Sequence, residues 1–166
     1  MFTSNNITKL AQLLNEINLK IKLKKDILKI LCNISSSDKG KEVIVQSNII
    51  SYLSKVLEDP ITNKYTIACL ANLATCSELK RSLAQHIALS ITSLQRALNT
   101  SDLDLAQYSL CFIENLCDNY PEAAYACTQM SVIKHMEAFL NTPFYHKLLS
   151  DYLSTLCSLL SIKENM

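Results

Sequence analysis

Apolar side chains recur along this chain at steps of three and four, the spacing that gathers them on one face of an α-helix. Ile87, Ile91, Leu94 and Leu98 form one such stripe. Ahead of it, residues 78–85 predict a short helix. After it, the polar run Asn99-Thr100-Ser101-Asp102 predicts a break, with Ser or Asp capping the next helix. A longer helix is predicted over 103–117. The same order then returns, with helices over 122–129, 132–140 and 145–160 and a break at Asn141-Thr142-Pro143. Upstream it reads 41–45, 49–57, a break at Glu58-Asp59-Pro60, and 62–75. The N-terminus enters partway through the pattern, with helices over 7–17 and 23–34.

Each long helix closes on one phrase. It reads Ile30-Leu31-Cys32-Asn33-Ile34, Leu70-Ala71-Asn72-Leu73-Ala74 and Ile113-Glu114-Asn115-Leu116-Cys117, with a degraded copy at Leu153-Ser154-Thr155-Leu156-Cys157. The third position falls at 33, 72, 115 and 155. A second register agrees: apolar pairs at Leu13-Leu14, Val56-Leu57, Ala97-Leu98 and Phe139-Leu140 close the preceding helices. Gln46, Gln85 and Gln129 give a weaker third register. A period of about 40 residues marks a repeat architecture, in which each unit buries its apolar face on the next.

Composition narrows the class. Of 166 residues, 49% are hydrophobic, one is Gly and three are Pro. Strand-rich folds need more tight turns than this, so the expectation is an all-α chain. No apolar run reaches the length of about 18 residues that a membrane span needs. The polar start, 1–6, lacks the layout of a secretory signal. The seven cysteines, Cys32, Cys69, Cys76, Cys111, Cys117, Cys127 and Cys157, are odd in number and include no C-x-x-C. They read as reduced core thiols of a cytoplasmic or nuclear protein. Three glycosylation sequons, at Asn6, Asn33 and Asn99, read as coincidence without a signal peptide.

Three helices per unit, the period and the closing Asn-Leu-Ala phrase resemble the armadillo repeat family. The match is best over Ala68-Cys69-Leu70-Ala71-Asn72-Leu73-Ala74. The resemblance implies a right-handed α-α superhelix of about four units, the first incomplete, forming a single domain over 1–166. The approximate units are 5–36, 37–76, 77–118 and 119–161. Two departures matter. The junction between first and second helices, often a Gly pair in that family, reads Gln46-Ser47-Asn48, Gln85-His86-Ile87 and Gln129-Met130-Ser131. The corner is thus built differently, nearer to HEAT-type units. Import receptors of the family place Trp four residues before the Asn; here those positions hold Lys29, Ala68 and Cys111. That argues against a receptor for basic nuclear localisation signals.

Counted from the repeated Asn, positions −7, −4, 0 and +3 share one helical face. That face carries Tyr65 and Tyr108, then Lys29, Ala68, Cys111 and Asp151, then Asn33, Asn72, Asn115 and Thr155, then Ser36, Thr75, Asp118 and Ser158. Positions −2 and +1 are uniformly apolar and read as core. The resemblance implies that the polar face lines a concave groove. A ladder of Asn amides there offers donors and acceptors to a peptide backbone, and two Tyr rings add contact area. The expected groove residues are Lys29, Asn33, Tyr65, Asn72, Tyr108, Asn115, Asp118 and Thr155. The competing reading is that these Asn bridge adjacent repeats internally.

The function expected is a non-catalytic adaptor or scaffold that binds an extended or helical protein segment. The alternative is a nucleic-acid-binding helical repeat. Residues 1–83 hold 12 Lys/Arg against 7 Asp/Glu, a net +5, while 84–166 hold 4 against 8, a net −4. A phosphate-binding face needs basic residues throughout, and Asp118 and Asp151 would stand in the groove. The run Lys20, Lys22, Lys24, Lys25, Lys29 suits acidic partner residues, or is simply a solvated helix face. No enzyme is expected: His86, His135 and His146 show no ligand spacing, and one Gly permits no phosphate loop. No metal or cofactor is expected. Self-association is expected through the last helix, Lys147 to Leu160, whose leucines spread over more than one stripe.

Overall fold

The computed structural model describes residues 3–16 and 18–160, and among them every regular element is helical. The chain packs as two compact units, Met1–Leu83 and Ala84–Met166. The first holds α1 (Ser4–Leu13), α2 (Ile21–Ser35), α3 (Asp38–Val45), α4 (Ile49–Leu57), α5 (Asn63–Leu73) and, at its end, α6 (Ser77–Ala84). The second holds α7 (Ile87–Thr100), α8 (Leu103–Cys117), α9 (Pro121–Gln129), α10 (Val132–Leu140), a 3₁₀ turn at Pro143–Leu148 and α11 (Leu149–Leu160).

Helix starts follow the capping chemistry of the sequence. Oγ of Ser37 accepts from the Gly40 amide at 3.2 Å, and Oδ1 of Asp102 from the Leu105 amide at 3.1 Å. Pro121 opens α9, where its missing N–H costs nothing. The helix-to-helix corners need no glycine. Ser101 and Ser131 themselves take left-handed backbone, with φ of 54° and 55°. Gly40 is required elsewhere: a Cβ there would lie 1.8 Å from the Ile34 carbonyl oxygen. The start of α3 therefore rests directly on the end of α2.

In the first unit, Leu28 and Leu31 of α2, Leu53 and Leu57 of α4 and Ile67, Leu70 and Leu73 of α5 are fully buried. Each such side chain contributes about 1.5–3 kcal/mol of transfer free energy. Thr62 Oγ1 and Asn63 Nδ2 reach back to the carbonyls of Val56 and Leu57, at 2.8 and 2.6 Å, and close the corner between α4 and α5. In the second unit, Phe112, Ile113 and Leu116 of α8 form the centre. Cys117 and Cys127 meet there as buried thiols, Sγ to Sγ 3.7 Å.

Among the described residues, hydrogen bonds from side chains join four residue pairs 40 apart, so the sequence period appears as physical contact between equivalent helices. Gln12 on α1 bonds Tyr52 on α4, and Asn72 on α5 bonds Cys32 on α2. Gln95 on α7 meets His135 on α10, and Ser154 on α11 donates to Glu114 on α8. The first two lie within the first unit and the last two within the second.

Three expectations need correction. The helix expected over 145–160 begins only at Leu149; Pro143–Leu148 forms a 3₁₀ turn instead. The Tyr145 hydroxyl donates to the Ala97 carbonyl, which draws the ring into the core and tightens the backbone around it. The helix expected over 7–17 ends at Leu13, where i→i+3 bonds to Gln12 and Leu13 close the turn. The break expected at 99–102 narrows to Ser101 and Asp102, because Thr100 bonds back to the Arg96 carbonyl and prolongs α7.

Candidate binding face

The long helices α2 and α5 lie side by side in the first unit, as α8 and α11 do in the second. Each expected site residue sits on one of these four or at its end, but they do not share one environment. Lys29 and Asn33 of α2 are exposed, and Tyr65 of α5 is half-buried. The Lys29 ammonium stands 5.4 Å from the centre of the Tyr65 ring. That cation–π contact orders a long side chain on an open surface.

Asn72 is half-buried and faces the junction of the two helices. Its amide nitrogen donates to the Cys32 carbonyl at 3.2 Å and to Ser35 Oγ at 3.1 Å. Cys32 lies in the last turn of α2. The same carbonyl accepts from the Ser35 hydroxyl and the Ser36 amide. Asn72 thus serves as a bridge between repeats, and its donor side is turned inward. Ser35, absent from the expected site, is the partner that fixes this geometry. The phrase itself carried the signal, since Ser35 follows the first Asn by two residues.

In the second unit, Tyr108 and Asn115 of α8 are half-buried and Asp118, just past its end, is exposed. Thr155 is not on the face: it is fully buried, its hydroxyl bonded at 2.8 Å to the Asp151 carbonyl one turn back. Glu114, which a count from the Asn does not select, reaches Ser154 across the helix pair. Cys111 is pushed up to about 11 by burial, with Asp151 and Glu114 adding to the shift. Burial likewise raises Cys32 and holds Cys69 up at about 12. The first face is therefore basic and aromatic around Lys29 and Tyr65, and the second carries Glu114, Asp118 and Asp151. The apolar positions also part company at the end of the chain. Leu31, Leu70 and Ile113 are buried as expected, whereas Leu153 is 51% exposed.

Among the described residues no cluster of three His, Cys, Asp or Glu side chains stands ready for a metal ion. No described helix is long and apolar enough to cross a membrane.

No family model matches the sequence, and no curated protein matches it. Solved structures do. An engineered protein superposes with a TM-score of 0.80 at 18% identity, covering 95% of this chain and 63% of its own. A designed armadillo repeat protein in complex with the peptide (KR)4 superposes with a TM-score of 0.80 at 16% identity, covering 93% of this chain and 64% of its own. A second engineered protein gives 0.76 at 19% identity, covering 93% and 37%. The fold is that of the armadillo repeat, all-α, and this chain spans under two thirds of the length of each of these structures.

Proposed function

We propose that the chain is a non-catalytic scaffold that binds a segment of a partner protein on the polar faces of its long helices. The observation that carries this reading is the Lys29–Tyr65 pair, an ordered cation over a ring on an otherwise open helix face. The designed armadillo repeat protein with a bound peptide supports the same use of the fold. On the first unit's face the ammonium of Lys29 suits carboxylates of an extended segment, and Tyr65 supplies a flat apolar contact. Raised thiols at Cys32, Cys69 and Cys111 leave little thiolate for nucleophilic chemistry near neutral pH. The free thiols of the seven cysteines suit the reducing cytoplasm or nucleus.

Peptide display against the immobilised chain tests the reading. Selected peptides are expected to carry Asp or Glu beside an apolar residue. Lys29→Glu and Tyr65→Ala should each weaken their binding by about tenfold or more, with unchanged helicity. Peptides that bind both variants as well as the parent chain would remove the face from consideration.

A further inference from the structure

The core of the second unit holds two reactive groups that binding on the helix faces does not use. Cys117 is the last residue of α8, and Cys127 lies near the end of α9; their sulfurs are 3.7 Å apart. Both are free thiols, at 1% and 0% exposure. Reaching a disulfide bond of about 2.0 Å takes an approach of about 1.7 Å. The chain has the play to supply it, because Cys117 ends its helix and Asp118 has already left helical backbone, with ψ of 120°.

Little apolar area holds α9 in place. Its buried residues are Ala123, Ala124 and Cys127, two small side chains and a thiol, while Tyr125 is 55% exposed. An element that buries so little opens locally at low cost. Each opening admits molecules of the size of water to both sulfurs. The acidity of the thiols also differs. Burial raises Cys32, Cys69, Cys76 and Cys111, whereas at Cys127 the hydrogen bond with Cys117 outweighs burial and lowers the thiol. Cys127 is accordingly the attacking sulfur of the pair.

We propose that Cys117 and Cys127 are a site of reversible oxidation by hydrogen peroxide, forming a disulfide that locks α9 to the end of α8. The Cys127 thiolate attacks one peroxide oxygen. The O–O bond breaks, the sulfur becomes a sulfenic acid, and the departing hydroxide takes up the thiol proton as water. The Cys117 thiol then attacks the Cys127 sulfur. The S–S bond forms, the S–O bond breaks, and the hydroxyl leaves with the Cys117 proton as a second water. Two thiols give up two electrons and one peroxide becomes two waters. Exchange with a thiol reductant reverses the bond. The lock closes residues 117–127 into a ring that spans Asn119, with its left-handed φ of 51°, and Pro121 at the start of α9. Its effect is to suppress the local opening of α9. The site stands whether or not the polar faces bind a peptide.

Peptide mapping of the whole chain tests this. The reduced protein is treated with hydrogen peroxide, alkylated in acid-quenched denaturant and cut after Glu. Cleavage at Glu114, Glu122 and Glu137 places Cys111, Cys117 and Cys127 in separate peptides. The expected product links peptide 115–122 to 123–137 and is lost on treatment with dithiothreitol. Peroxide added in urea should instead give mixed linkages. In the oxidised chain the amides of α9 should exchange with deuterium about tenfold more slowly, or slower still. Cys117→Ser should leave a sulfenic acid at Cys127 that dimedone traps. If that variant loses helicity, the map and the exchange rates of the parent chain decide alone. Oxidation of the exposed Cys157 with no link between 117 and 127 overturns the proposal. So does a link in the folded chain that joins other cysteines, or an unchanged exchange rate in α9.

Discussion

Asn72 carries the most information of any single residue, because its amide nitrogen ties α5 to the last turn of α2. Its two bonds go to a carbonyl and a hydroxyl of α2, in a half-buried site where water competes poorly. Asn72→Ala is expected to destabilise the chain by about 1–2 kcal/mol, the net value of one or two such bonds. Urea unfolding measures it; a midpoint equal to that of the parent chain would show that the bridge contributes nothing. The repeated Asn was legible in the sequence, but its orientation was not. A side-chain amide serves a peptide backbone or a helix end equally well, and only the placement of Cys32 and Ser35 decides between them. Asn33, exposed at the same position of the first repeat, has no preceding long helix to bridge among the described residues.

At the scale of the element, helix ends answered to local chemistry and helix faces to neighbours. α8 runs from Leu103 to Cys117, as its periodicity and Asp102 cap predicted. The last long helix did not keep its predicted start, since Tyr145 is held by a carbonyl of α7 that local sequence does not reveal. The apolar face tells the same story. Leu73 and Leu153 sit in matching stripes, yet Leu73 is fully buried and Leu153 half open. Leu73→Ala is therefore expected to cost about 2–5 kcal/mol, as buried leucines do, and Leu153→Ala less than about 1 kcal/mol, as for a surface change. Chemical denaturation of the two variants separates them; equal losses would contradict the assigned exposures.

For the whole molecule, the division at Leu83 coincides with the change in sign of the net charge. Each unit has its own apolar centre, built from α2, α4 and α5 in one and from α8 and its neighbours in the other. Repeat proteins distribute their stability over nearest-neighbour interfaces. Residues 1–83 expressed alone are accordingly expected to retain helical circular dichroism and a cooperative urea transition. A disordered spectrum would show that the first unit depends on the second.

The sequence by itself determined the helices, their order and their period, because a 3.6-residue repeat of apolar side chains and a recurring closing phrase are local and survive without a partner. It also determined which residue types line the long helices. Tertiary structure alone decided which way each side chain turns. Asn72 faces inward, Thr155 is buried and Leu153 is uncovered, although all three lie in registers that read alike in one dimension. The physical reason is that burial depends on what packs against each helix face, which a one-dimensional period does not record.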